Sequence, residues 1–239
     1  MQRLDAAGLV PVERQDAGET AGAAVETEAE TLIAACDLDF TYGNGYQALK
    51  KVSFDVHPGE MLAIIGRNGA GKSTLLKLLV GLLKPQSGEL MLFGKPAKKW
   101  KVEDLAGQIA LVFQNPEHQF LTDSVYDEIA YSYMARGMSD TEEIRAGVTE
   151  TLHMLDLEGA EKLHPFALSA GMKRRLGVAT MLVGHPRVLL VDEPTYGQDK
   201  QMTQTLMALM ENIRQQGVSV VMITHDMRLV QEFARRAVV

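Results

Sequence analysis

The chain has 239 residues, 46% of them hydrophobic and 23% charged, with a formal net charge of −7; this suits one large α/β domain or one carrying an inserted lobe. A single cysteine, Cys36, excludes an internal disulfide framework and fits a reducing compartment. No run reaches the ~18 apolar residues needed to span a bilayer, and the N-terminus lacks the charged and apolar regions of a signal peptide.

Residues 1–31 hold seven acids, two bases and no aromatic residue, a net of −5 that leaves −2 for the rest of the chain. Such a segment cannot bury enough apolar surface to offset ordering, so it is expected to be a disordered acidic linker or tail. The near-neutral remainder speaks against a nucleic-acid-binding surface as the main purpose. The folded body is expected from Leu32 to Val239, with Cys36 as a small packed residue.

Val52 to Val56 alternates as a strand does, and Pro58-Gly59 marks a turn. Met61 to Ile65 is continuously apolar, as in a strand buried on both faces, and is followed by GRNGAGKST, Gly66 to Thr74, and the helix-like run Leu75 to Leu83. Strand, glycine-rich loop and helix in that order are the context of a phosphate-binding P-loop. Gly66, Gly69 and Gly71 let the backbone approach a phosphate, while loop amides and the helix N-terminus face the anion. Lys72 is expected on the β- and γ-phosphates and Ser73 on Mg2+, so a nucleoside triphosphate is the leading ligand.

Strand signals fade between about Val125 and Phe166. Ser139 with Glu142 makes a capping-box pattern, and Ile144, Val148, Leu152 and Leu155 share one helical face, which reads as an inserted helical lobe at about 123–170. Val188 to Val191 and Val218 to Ile223 are again buried-strand runs, ending in Asp192-Glu193 and in Thr224-His225-Asp226. Ligands in open α/β sheets bind beyond the carboxyl ends of the strands, so these groups should meet the P-loop in one crevice. Asp192 would orient Mg2+, and Glu193 would polarise a water for attack on the γ-phosphate. The histidines other than His225 show no metal-ligand spacing with one another or with Cys36. Trp100, among Lys98, Lys99 and Lys101, reads as a surface anchor. The run Ala237-Val238-Val239 reads as the start of a further strand, so the chain is expected to be truncated at the C-terminus.

Together with LSAGMKRR, Leu168 to Arg175, these motifs make the chain resemble the ATP-binding cassette (ABC) ATPases from about Leu32 onward. GRNGAGKST looks like their Walker A loop, contributing Gly66, Asn68, Gly69, Ala70, Gly71, Lys72, Ser73 and Thr74. VLLVDEP resembles the Walker B strand, LSAGM the signature loop, Gln114 the Q-loop glutamine, His225 the switch histidine, Asp199 the end of the D-loop, and Tyr42 the aromatic residue that stacks on adenine.

The resemblance implies a P-loop NTPase with a mostly parallel sheet, flanking helices, an antiparallel β subdomain and an inserted helical lobe. It also implies ATP and Mg2+ as cofactors and a head-to-tail dimer in which Ser169 and Gly171 meet the Walker residues of a second ABC domain. Glu193, His225 and Gln114 are the catalytic candidates, and Ser73, Gln114 and Asp192 the metal candidates. Two departures stand out: Ala170 at the second glycine position of the signature and Met172 in place of its glutamine. The D-loop Tyr196-Gly197-Gln198-Asp199 departs as well.

VFQNPEHQF and the basic run after the signature look like the energy-coupling-factor importers of vitamins and metal ions. In that group the region after the Q-loop, here Phe120 to Tyr126, docks on a transmembrane coupling subunit that works with a substrate-binding membrane component. The expected location is the cytoplasmic face of the membrane, without nucleic acid as a partner. The alternatives are a non-transport ABC ATPase of the translation or DNA-repair type and a nucleotide-binding regulator.

Overall fold

A computed structural model of the protein describes residues 9–11, 30–67, 69–195 and 199–239. In chain order the elements are β1 (Leu9–Pro11), β2 (Ile33–Thr41), β3 (Gln47–Val56), β4 (Met61–Ile65), α1 (Lys72–Leu79), β5 (Ser87–Leu92), β6 (Lys95–Pro96), α2 (Val102–Ala106) and β7 (Ile109–Val112). Then follow α3 (Val125–Met134), α4 (Thr141–Met154), α5 (Ala170–Leu182), β8 (Val188–Asp192), α6 (Lys200–Gln215), β9 (Ser219–Thr224), α7 (Met227–Phe233) and β10 (Arg236–Val238).

The main sheet runs β1-β10-β4-β9-β8-β7. Its strands from β10 to β7 pair in parallel, and β1 pairs antiparallel to β10 at the edge. The continuous apolar runs follow from burial on both faces. Met61, Ala63, Leu189, Val191, Val220 and Met222 face one core with α5, α6 and the helical lobe. Leu62, Ile64, Val188, Leu190, Val221 and Ile223 face another, built with α1 and the second sheet. That second sheet is antiparallel, in the order β3-β2-β5-β6, and covers α1.

Polar clasps join the two sheets away from the P-loop. Ser219 Oγ accepts from Gly59 N at 2.8 Å and donates to the His57 carbonyl at 2.9 Å. Arg214 donates to the Gly59 carbonyl at 2.7 Å, and Arg236 bridges Asp55 and Glu60.

In the lobe, α3 is capped by Ser124 and α4 by Asp140, whose carboxylate accepts from Glu142 N and Glu143 N. Asp140, and not the expected Ser139, is the cap, because Thr141 is already the first helical residue. Ile144, Val148, Leu152 and Leu155 are buried together. Glu128 on α3 is also buried, its carboxylate accepting from Leu121 N, Thr122 N and Thr122 Oγ1 at 2.8–2.9 Å.

Three further expectations meet the structure differently. Cys36 is exposed and not packed: Ala35 points into the core, and Asp37 at φ 48° breaks the alternation beside it. Leu9–Pro11, inside the segment read as linker, forms β1; the remainder of residues 1–29 lies outside the described residues. Helix α1 stops at Leu79, with Gly81 at φ 79° just beyond. Among the described residues, no helix is long and apolar enough to cross a membrane.

Candidate functional site

Adjacency of β4, β9, β8 and β7 decides what the site contains. Because the four strands run parallel, their C-terminal ends lie side by side. Ile65 is level with Thr224 and Ile223 with Asp192. The residues that follow therefore gather at one edge, as the crevice rule for such sheets requires. A cavity of about 450 Å³ there is lined by Tyr46, Gly69, Gly71, Lys72, Ser73, Thr74, Gln114, Asp192, Glu193 and His225.

Helix α1 enters this cavity through Gly71, at φ 88° and with no side-chain cap. Uncapped first-turn amides and the positive end of the helix dipole make a ready anion site. Lys72 Nζ donates to the Gly66 carbonyl at 2.5 Å and stands 3.3 Å from Glu193 Oε1. Glu193 is buried at φ 45°, its amide donating to the Ile223 carbonyl at 2.8 Å. Its carboxylate lies 2.9 and 3.0 Å from His225 Nδ1. Carboxylate oxygens accept, so in this contact His225 Nδ1 is the donor. Thr224 Oγ1 donates to Glu193 at 3.4 Å and accepts from Asp226 N at 3.1 Å, so the end of β9 and the turn into α7 are tied to the same carboxylate.

Burial pushes the Asp192 carboxyl above the ordinary carboxylate range; neighbouring Glu193 raises it further, while Lys72 and Arg174 oppose the shift. Ser73, Gln114 and Asp192 offer oxygen donors in the same cavity. That donor set suits a hard cation such as Mg2+, which shares few protein ligands with phosphate oxygens and water. Among the described residues no group of three His, Cys, Asp or Glu side chains could cage a metal by itself.

The remaining predicted residues lie elsewhere. Gly66 and Ala70 line the far side of the P-loop, and Asn68 lies outside the described residues. Ser169 N-caps α5 and shares a separate cavity of about 420 Å³ with Gly171, Asp199 and Met202. Asp199 N-caps α6, accepting from Met202 N at 2.8 Å. Met172 is partly buried against the core, so losing the polar residue there fills space inside the protomer. Tyr196, Gly197 and Gln198 lie outside the described residues.

Tyr42 is half-buried. Its hydroxyl is 3.0 Å from Thr74 Oγ1, its ring meets Phe40 edge-on, and it does not line the 450 Å³ cavity. Tyr46 does line it, a residue sequence reasoning missed because only one aromatic of FTYGNGY fitted the motif. His118 is exposed, 3.4 Å from Asn115 Nδ2, and absent from the cavity lining. Trp100 is packed, its Nε1 donating to the Leu92 carbonyl and Lys95 lying 4.7 Å over the ring.

The basic run after the signature has structural partners that the sequence did not disclose. Lys173 pairs with Glu117 at 2.6 Å and Arg175 with Asp156 at 2.6 Å. Buried Arg174 donates to the Phe113 carbonyl at 3.2 Å, next to Gln114. Of the four apolar residues expected to dock, Phe120 and Val125 are core and Tyr126 is partly buried, whereas Leu121 is 71% exposed. Phe113, Leu163 and Phe166 are also exposed, and Phe120 meets Phe166 edge-on at 6.2 Å.

Comparison with known proteins converges with this geometry. The family model described as ABC transporter matches residues 49–196. YkoD of Bacillus subtilis, provisionally named as an HMP/thiamine import ATP-binding protein, is 44% identical over 209 residues, covering 86% of this chain and 36% of that protein. The chain spans about a third of the length of the curated relatives it matches first. Among solved structures, CbiO1 from Clostridium perfringens, part of the ABC transporter complex CbiONQ, superposes with a TM-score of 0.79 at 32% identity, covering 84% of this chain and 81% of that one. The ATP-binding cassette MJ0796, in a dimeric post-hydrolysis state bound to ADP and Pi, superposes with a TM-score of 0.75 at 28% identity, covering 86% and 92%.

Proposed function

This chain belongs to the ABC transporter ATP-binding family, and we propose that it binds and hydrolyses ATP to power a membrane importer of the energy-coupling-factor type. The observation that carries the reading is the single cavity holding Lys72, Ser73, Gln114, Asp192, Glu193 and His225. Likeness to YkoD supports an importer with thiamine-related cargo, and likeness to CbiO1 supports a place in a multi-subunit ABC transporter complex.

The α1 amides and Lys72 hold the phosphates. Ser73, Gln114 and Asp192 would hold Mg2+, which would neutralise phosphate charge when bound. Glu193 accepts the proton of the attacking water, and His225 and Thr224 fix the carboxylate that accepts it. Lys72 Nζ lies 3.3 Å from Glu193 Oε1, so a γ-phosphate held there would share the ammonium with that carboxylate.

Ser169 and Gly171, beside the N-terminus of α5, complete the site of a second ABC domain, whether a like copy or a different cassette. Leu121, Phe166 and Phe113 form the docking face for a transmembrane coupling subunit, which recruits the domain to the cytoplasmic face of the membrane alongside a substrate-binding component. ATPase assays of the full chain with Lys72→Ala test the reading: ATP binding and hydrolysis should both be lost. Retained ATP binding by Lys72→Ala would remove the P-loop from the nucleotide site. No observation favours the non-transport or regulator readings, and the paired Glu193 and His225 fit turnover.

A further inference from the structure

We propose that Arg174 is a positioning residue for the metal end of the nucleotide site: from α5 it holds the Phe113 carbonyl and so carries Gln114 into the cavity beside Asp192. This rests on the ATP-binding reading above. β7 and β8 pair in parallel with Val112 level with Val191, so Gln114 and Asp192 leave neighbouring strands at the same edge. β7 is the last strand of its sheet, and its ladder ends at Val112. The Phe113 carbonyl lies beyond that pairing, and Arg174 Nη1 donates to it at 3.2 Å. One residue further on, Gln114 lines the cavity together with Asp192.

Packing alone does not account for this arginine. It is only 4% exposed, and arginine is almost never buried without a paired carboxylate. Lys173 and Arg175 on either side pair with Glu117 and Asp156. Among the described residues no carboxylate is in ion-pair contact with Arg174; the acid whose charge reaches it is Asp192, at the end of β8. Burial holds its guanidinium below the ordinary arginine pKa, and Asp192 opposes that shift. Arg174 Nε has no protein partner. The other buried side-chain atoms without one among the described residues belong to Arg175 and Gln119. Gln119 closes the Pro116–Gln119 turn and lies against Gly177 of α5, so all of them lie along one seam. A seam built for stability would satisfy these groups. An apolar side chain of similar length would fill the same space without a buried charge. What the guanidinium adds is its hold on Phe113 and a positive charge facing Asp192.

The test measures ATP binding to the full chain in Mg2+ and in EDTA, with thermal denaturation and turnover alongside. The variants are Arg174→Met, Arg174→Lys, Gln114→Ala and the double variant Gln114→Ala with Arg174→Met. Arg174→Met removes a buried charge that has no paired carboxylate, so its Tm should not fall. Its ATP affinity in EDTA should stay within about twofold of the parent, because the α1 amides and Lys72 are untouched. The gain in affinity that Mg2+ brings should drop about tenfold or vanish, and turnover should drop about 10- to 100-fold, the usual loss when a group behind a metal ligand is removed. Arg174→Lys keeps the charge and a donor and should recover most of both. In the Gln114→Ala background, Arg174→Met should change either readout by less than about twofold, since the side chain it aims is already gone. Equal losses of ATP affinity in EDTA and in Mg2+, or failure of Arg174→Met to fold, would make Arg174 a prop of the fold and overturn the assignment. So would losses that simply multiply in the double variant. A parent chain that binds no ATP under either condition would instead remove the nucleotide reading itself.

Discussion

A Cβ built on Gly71 would lie 2.1 Å from the Ala48 carbonyl and 2.9 Å from Leu49, in a backbone conformation that L side chains rarely adopt. β3 presses on the P-loop from outside, so no small shift relieves the clash. Gly71→Ala should therefore destabilise the fold by more than the ~1 kcal/mol of a bare conformational penalty, and abolish ATP binding; thermal denaturation and equilibrium binding check the two effects. Asp192 makes the opposite trade. Its folded-state pKa is raised, chiefly by burial, so the cost of its charge is absent below the unfolded pKa and complete above the folded one. Asp192→Asn should thus raise Tm at neutral pH, lose that gain in acid, and lose hydrolysis throughout. A Tm unchanged at neutral pH would contradict the sign. Both residues were legible as functional from their motifs; neither the pressure of β3 on Gly71 nor the burial of Asp192 was, because each depends on contacts distant in sequence.

Among the elements, β4, β8 and β9 were readable because burial on both faces leaves an unbroken apolar run. The cap of α4 was misplaced by one residue because Ser139 and Asp140 are both good caps, and only geometry shows which reaches the free amides. Asp140→Ala should cost about 1 kcal/mol in urea denaturation with nucleotide binding unchanged, whereas Ser139→Ala should cost little. Phe120 and Val125 resembled a docking patch because apolar residues beside a loop look alike whether they face in or out. The loop from Leu121 to Thr122 is held instead by Glu128, a carboxylate no motif announced. Removing it leaves two backbone donors without their acceptor, at about 1–3 kcal/mol if they stay buried. Glu128→Ala should loosen that segment, seen as faster amide exchange at Leu121 and Thr122, while β4 and β9 stay protected.

For the whole molecule, topology brings chemistry from residues 69, 71–74, 114, 192–193 and 225 to one edge, while Ser169 and Gly171 of the signature loop line a separate cavity. The ties of Lys173 and Arg174 to Glu117 and Phe113 link the signature helix to the Q-loop and the exposed apolar face beside it. Charged residues at Leu121 and Phe166 should abolish assembly with a membrane subunit and spare basal hydrolysis; normal assembly would place docking elsewhere. The central claim is that Glu193, held by His225 and Thr224, is the base for ATP hydrolysis. The measurement that tests it most directly is ATP binding and turnover by Glu193→Gln in the full chain beside the unaltered protein. The amide cannot take the water's proton, so binding should persist while turnover falls by roughly 10²- to 10⁴-fold; turnover equal to that of the unaltered chain would contradict it.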